Sequence, residues 1–158
     1  MAKIGYGNWN ELPWRPLPTK FVDGACKTYQ VVLGMECENM IATMGKCYNG
    51  MPIGNHTHPH EQIAIVLQGE MDFYLDGIPY RLTAGSWINI PPHYEHYSHV
   101  YRTKVPLMEL EVFTPYREST KWPYLEFMKS MGVNWERDHV REVPDLDAPI
   151  DPNQEVRA

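Results

Sequence analysis

Residues 50–62 read Gly50-Met51-Pro52-Ile53-Gly54-Asn55-His56-Thr57-His58-Pro59-His60-Glu61-Gln62. Residues 85–96 answer with Gly85-Ser86-Trp87-Ile88-Asn89-Ile90-Pro91-Pro92-His93-Tyr94-Glu95-His96. The first run places His56, His58, His60 and Gln62 two residues apart. On a β-strand that spacing sends all four side chains to one face. Glu61 has the opposite parity, so Gln62 is the better oxygen donor. The second run brings His96 from a later strand. Three imidazoles and one oxygen donor, converging from two strands, suit a first-row divalent metal. A metal-centred site is therefore the leading expectation.

The chain has 158 residues, enough for one domain with a sizeable core. Its net charge of -6 argues against a polyanion-binding surface, so no nucleic-acid partner is expected. No apolar run is long enough to cross a membrane, and the N-terminus lacks a secretory apolar core. Cys26, Cys37 and Cys47 are odd in number and form no Cys-x-x-Cys pair. Reduced thiols in a cytoplasmic protein are the simplest reading.

From Phe21 to Val112 the pattern is β, with short apolar runs separated by Gly, Pro, Asn and Asp. The expected strands are 27–33, 40–48, 62–67, 71–75, 78–82, 86–90, 95–101 and 107–114. Gln68-Gly69 and Asp76-Gly77 are hairpin-turn signals. Many short antiparallel strands imply an all-β jelly roll. Residues 1–20, rich in Gly, Pro and Trp, form an extended arm that lies across the barrel or a partner subunit. The barrel is expected over 21–120, and a C-terminal helix and extended tail over 121–158. The helix is read from Pro123 to Met131, with Pro123 near its start and Gly132 as its stop.

Alternation raises a question of facing. If Gln62, Ala64 and Val66 point inward, Ile63, Ile65 and Leu67 form an outward aliphatic row that needs a cover. In Leu107–Phe113, Glu109 and Glu111 share one face, and Met108, Leu110 and Val112 share the other. The ordinary amphipathic strand puts the glutamates in water. The apolar outward row beside it allows the reverse.

The two quoted runs resemble the paired motifs of the cupin superfamily. Gly50, His56, His58 and Gly69 fit the first motif, with Gln62 in the slot usually held by Glu. Gly85, Pro91 and His96 fit the second, with His93 in place of its Gly. The resemblance implies a cupin jelly-roll barrel whose metal ligands are His56, His58, Gln62 and His96. His60 falls outside that ligand pattern and is read as a group that touches the substrate or supports a metal ligand. Cupins commonly pair across the outward sheet face, which implies a homodimer. Three neutral imidazoles and an amide cancel none of a divalent ion's charge. The site then favours an anionic or enolate ligand, and Lewis-acid work over redox cycling. The ligands do not choose among Ni, Zn, Fe, Mn and Co.

A narrower resemblance links Glu111-Val-Phe-Thr-Pro-Tyr-Arg117 to the Asp-Val-Phe-Ser-Pro-x-Arg ending of small cupins related to KdgF. Those proteins open the ring of 4,5-unsaturated uronates. The resemblance implies that Glu111 and Arg117 are catalytic, with Arg117 clamping a carboxylate. The implied activity is a metal-dependent lyase or isomerase acting on a small anionic substrate. The alternatives are a dioxygenase of the β-diketone or quercetin type and a non-catalytic small-molecule-binding cupin. The dimethylsulfoniopropionate lyases, also small cupins, carry a Tyr base two residues after the fourth ligand; here that residue is Ala64.

Overall fold

The computed structural model describes residues 3–17, 21–22 and 24–142. In chain order the described elements are β1 (Lys3–Gly5), β2 (Arg15–Pro16), β3 (Phe21–Val22), β4 (Ala25–Cys26), β5 (Thr28–Leu33), β6 (Ile41–Cys47) and β7 (Met51–His56). There follow β8 (Glu61–Gln68), β9 (Glu70–Leu75), β10 (Ile78–Thr83), β11 (Trp87–Ile90), β12 (His96–Val100) and β13 (Leu107–Thr114). The chain then forms α1 (Glu118–Ser130), α2 (Trp135–His139) and β14 (Val140–Glu142).

Two antiparallel sheets make the barrel. One has the strand order β10-β9-β12-β7, the other β11-β8-β13-β6-β5-β2. Their inward residues meet in one cluster that includes Met51, Met71, Phe73 and Val100 from the first and Ala64, Val66, Ile88 and Ile90 from the second. The jelly roll expected from the strand pattern is the fold observed. Asp76-Gly77 closes a two-residue hairpin with Leu75 opposite Ile78 and positive φ at both turn residues. Gln68-Gly69 does not close a hairpin. β8 and β9 belong to different sheets, so this turn is a corner. A Cβ at Gly69 would lie 2.7 Å from Thr103 Oγ1 and 3.0 Å from Leu107 Cα, and its φ is +79°.

The outer face of the larger sheet is covered over half its width. Val31 and Met44 are fully buried there against Leu12, Tyr124, Met128, Trp135 and Val140. Fully burying one such side chain stabilises by about 1.5–3 kcal/mol, so this layer fixes α1 firmly to the barrel. Tyr124 Oη donates to the Pro13 carbonyl at 3.0 Å, tying the N-terminal arm to the helix. The other half, around β8 and β11, has no cover among the described residues. Ile63 and Ile65 are half-buried, and Leu67 and Trp87 are exposed.

The C-terminal region departs from expectation in two ways. Helix α1 begins at Glu118, five residues before Pro123, so Pro123 lies inside it rather than near its first position. The helix stop is as expected: Gly132 has φ +81°, Gly132 N–H donates to Lys129 O, and Val133 N–H donates to Met128 O. Residues 135–142 are ordered structure rather than an extended tail. Asn134 caps α2 by accepting from Arg137 N–H at 3.1 Å, and β14 pairs antiparallel with β1. The rest of the expected tail, 143–158, lies outside the described residues.

Candidate metal centre

β7 ends at His56, and the chain turns through residues 57–60 before β8 begins. The expectation that His56, His58, His60 and Gln62 share one strand face is therefore wrong. His-x-His-Pro-His straddles a strand end, where Pro59 cannot donate to a ladder. The histidines converge by another route. His56 closes β7, His96 opens β12, and the two are direct cross-strand partners with ring centroids 4.2 Å apart. His58 swings over from the turn, 4.9 Å from the His96 ring. One ligating nitrogen from each of the three lies within 4.8 Å of the others.

The backbone sets the tautomers. His56 Nδ1 contacts Gly54 O at 2.9 Å, His58 Nδ1 contacts His60 O at 2.9 Å, and His96 Nδ1 contacts Tyr94 O at 3.0 Å. A carbonyl only accepts, so each Nδ1 carries the hydrogen and each Nε2 presents a lone pair. His96 Nε2 is buried with no hydrogen-bond partner. Burial, ahead of the neighbouring His56, His58 and Arg117, pushes His96 down to about 4, so it is neutral near pH 7.

Gln62 completes the set. Its Nε2 donates to Glu111 Oε1 at 2.7 Å, which turns its Oε1 towards His58 Nε2, 2.8 Å away. A neutral imidazole lone pair and an amide oxygen thus face each other, two acceptors with no hydrogen between them. That contact and the orphaned His96 nitrogen are what a cation would satisfy. The residues present fit a divalent metal held by His56, His58, His96 and Gln62. Cys47 is outside this group and contacts Thr28 Oγ1 at 3.2 Å.

His56, His96 and Gln62 open on a cavity of about 390 Å³. β13 turns both glutamates into it, reversing the ordinary amphipathic reading, because Met108 and Leu110 pack outward against the layer beneath α1. Glu111 lies opposite Thr43 and Ala64, and its Oε2 accepts from Thr43 Oγ1 at 2.9 Å. Glu109 lies opposite Gly45 and Val66. Burial, with Glu111 beside it, raises the Glu109 carboxyl well above the usual range. Arg117, just before α1, lines the cavity with its guanidinium over the Phe113 ring, and it has no carboxylate partner among the described residues.

His60 does not line the cavity. Its carbonyl anchors His58, its ring packs against Phe113, and its Nδ1 is buried without a partner. Tyr97 is the one tyrosine of the barrel group 74–101 that lines the cavity, where Tyr29 joins it. Sequence reasoning did not single out Thr43, Gly45 or Glu109 as part of the site. The alternation of β13 and its pairing with β6 carried that signal.

Residues 49–113 match the family described as Cupin domain. KdgF from Halomonas sp. superposes with a TM-score of 0.62 at 20% identity, over 74% of this chain and 96% of that one. An RmlC-like cupin from Shewanella frigidimarina gives 0.59 at 23% identity, over 76% and 99%. The polyketide cyclase RemF from Streptomyces resistomycificus gives 0.58 at 19%, over 70% and 79%. At these identities the likeness speaks for the fold. No curated protein matches the sequence. The jelly roll, the paired histidine motifs and the cupin-domain match over residues 49–113 together give this chain a cupin-type fold, with a KdgF-like resemblance.

Proposed function

We propose that this cupin is a metal-dependent enzyme, a Lewis-acid lyase or isomerase acting on a small anionic substrate. The observation that carries the reading is the pairing of a charge-neutral donor set with Arg117, which has no carboxylate partner among the described residues, in one cavity. Both ends of the site then call for negative charge. A bound divalent ion would polarise a carbonyl or hydroxyl oxygen of the substrate. Arg117 would clamp a carboxylate. Glu111, held by Thr43 and Gln62, would accept a proton beside the reacting oxygen. A 4,5-unsaturated uronate has the required features: one carboxylate, a hemiacetal hydroxyl and an alkene conjugated to the carboxylate.

The test is loss of alkene absorbance on adding unsaturated galacturonate to metal-loaded protein. Turnover in the wild type, with loss in Glu111→Gln at unchanged metal content, is expected. No turnover in the loaded wild type removes this substrate. Glu111→Gln that turns over like the wild type removes Glu111 from the chemistry. A second reading, a dioxygenase of the β-diketone type, draws on the apolar wall formed by Ile53, Phe73 and Phe113. Metal-dependent O2 consumption with a diketone would support it. A homodimer across the uncovered Ile63, Ile65, Leu67 and Trp87 face is proposed as well. Sedimentation of the wild type against Leu67→Glu tests it, a dimer that becomes a monomer being expected.

A further inference from the structure

β13 places two carboxyls in one cavity and treats them unequally. Glu111 has a donor on each oxygen, Gln62 Nε2 at 2.7 Å and Thr43 Oγ1 at 2.9 Å. Glu109 receives no hydrogen bond from any described residue. It lies close over a glycine: a Cβ at position 45 would lie 3.1 Å from Glu109 Cγ and 3.2 Å from its Oε1, near enough to displace the side chain. A half-buried carboxyl without donors is cheaper to hold neutral than charged. The two carboxyls therefore differ in what surrounds them, one held by two donors and one by none among the described residues, and such a difference is how environment divides base from acid.

We propose that Glu109 is the proton donor of this cavity, the partner of Glu111 as acceptor. The proposal rests on the isomerase reading above and adds the second half of its proton account. An isomerisation needs a proton removed at one atom and delivered at another. In the ring opening, Glu111 takes the proton of the anomeric hydroxyl as the bond from the anomeric carbon to the ring oxygen breaks. The anomeric carbon becomes an aldehyde, and the released pair leaves the ring oxygen as an enolate. Glu109 gives its proton to the alkene carbon that bears no oxygen, and the enolate becomes a ketone. Substrate and product are isomers, no oxidant or reductant enters, and the proton passes back from Glu111 to Glu109 before the next turnover.

The groups that share the cavity with Glu109 are few. β13 contributes Glu111; β6 contributes Thr43 and Gly45; β8 contributes Gln62; β5 contributes Thr28, Tyr29 and Gln30. From beyond come His56, His96, Tyr97 and Arg117. Arg117, the one fixed cation among them, and a bound metal ion both pull Glu109 towards ionisation. Glu111 and burial oppose them, burial being the larger effect.

The experiment is infrared difference spectroscopy of the metal-loaded protein at pH 7, reading the carbonyl stretch of a protonated carboxylic acid. A band present in the wild type and in Glu111→Gln, and absent in Glu109→Gln, is expected. With turnover in hand, Glu109→Gln should lower kcat by about 100-fold or more with KM little changed, since the neutral amide keeps the shape and loses the proton. Glu109→Asp should recover part of it. Absence of the band in the loaded wild type, its persistence in Glu109→Gln, or a Glu109→Gln enzyme as fast as the wild type overturns the proposal. A wild type that keeps the band but leaves the unsaturated uronate untouched overturns the substrate reading instead, because the band tests Glu109 without any substrate.

Discussion

Replacing Glu111 by alanine separates holding the metal from doing the chemistry. Glu111 Oε1 is the acceptor that fixes the Gln62 amide, and Thr43 fixes Glu111 in turn. A hydrogen bond to a charged acceptor contributes about 1.5–3 kcal/mol. Without it the Gln62 side chain is free to rotate, and its NH2 rather than its oxygen can face the histidines. At about 1.4 kcal/mol per tenfold, that loss corresponds to roughly 10- to 100-fold weaker metal binding. Glu111→Gln behaves differently. Its amide oxygen can still accept from Gln62 Nε2, and its NH2 can donate to Thr43 Oγ1. Metal affinity should then stay within a few-fold of wild type while turnover is lost. The assay is competitive titration of zinc or nickel against a chromophoric chelator for wild type, Glu111→Ala and Glu111→Gln. Equal affinity in wild type and Glu111→Ala would refute the view that Glu111 orients a ligand.

Other consequences follow from the same coordinates. Gly45→Ala should push Glu109 out of place and reduce turnover while sparing metal binding, because the added Cβ meets Glu109 rather than a ligand; paired kinetic and metal assays check this. Gly69→Ala should cost at least about 2 kcal/mol in urea unfolding, the sum of an unfavourable positive φ and the collision with Thr103 and Leu107. Tyr124→Phe should lose about 1 kcal/mol and speed proteolysis of the N-terminal arm, since its hydroxyl holds the Pro13 carbonyl. Tyr116, pushed up to about 12 by burial first and then by Glu118, Glu36 and Cys37, resists ionisation in the folded state. Its contribution to stability is complete below pH 10 and declines as pH rises through 10 towards 12, so Tyr116→Phe should flatten the alkaline loss of stability.

The paired histidine motifs were legible because the cupin barrel demands ligands at a strand end and at the start of a later strand. The route by which His56 and His58 meet was not. Period-two spacing alone does not reveal that β7 stops at His56 and hands the next ligand to a turn. Gln62 does turn inward with Ala64 and Val66 on β8, but the parity that singled it out ran through His58 and His60, which lie in a turn and not on a strand. The facing of Glu109 and Glu111 stayed open, because local alternation has two solutions and a distant layer decides between them. That layer, made of Leu12, Tyr124, Met128, Trp135 and Val140, comes from both ends of the chain. The same long-range pairing explains why residues 135–142 looked like a tail: β14 is a strand only because β1 lies beside it.

The most direct test of the central claim is the metal content of the purified protein, wild type against His96→Ala, after reconstitution with a divalent transition metal. The account predicts one ion per chain in the wild type and none retained by the variant. A wild type that holds no metal, or a variant that holds it equally well, would contradict it.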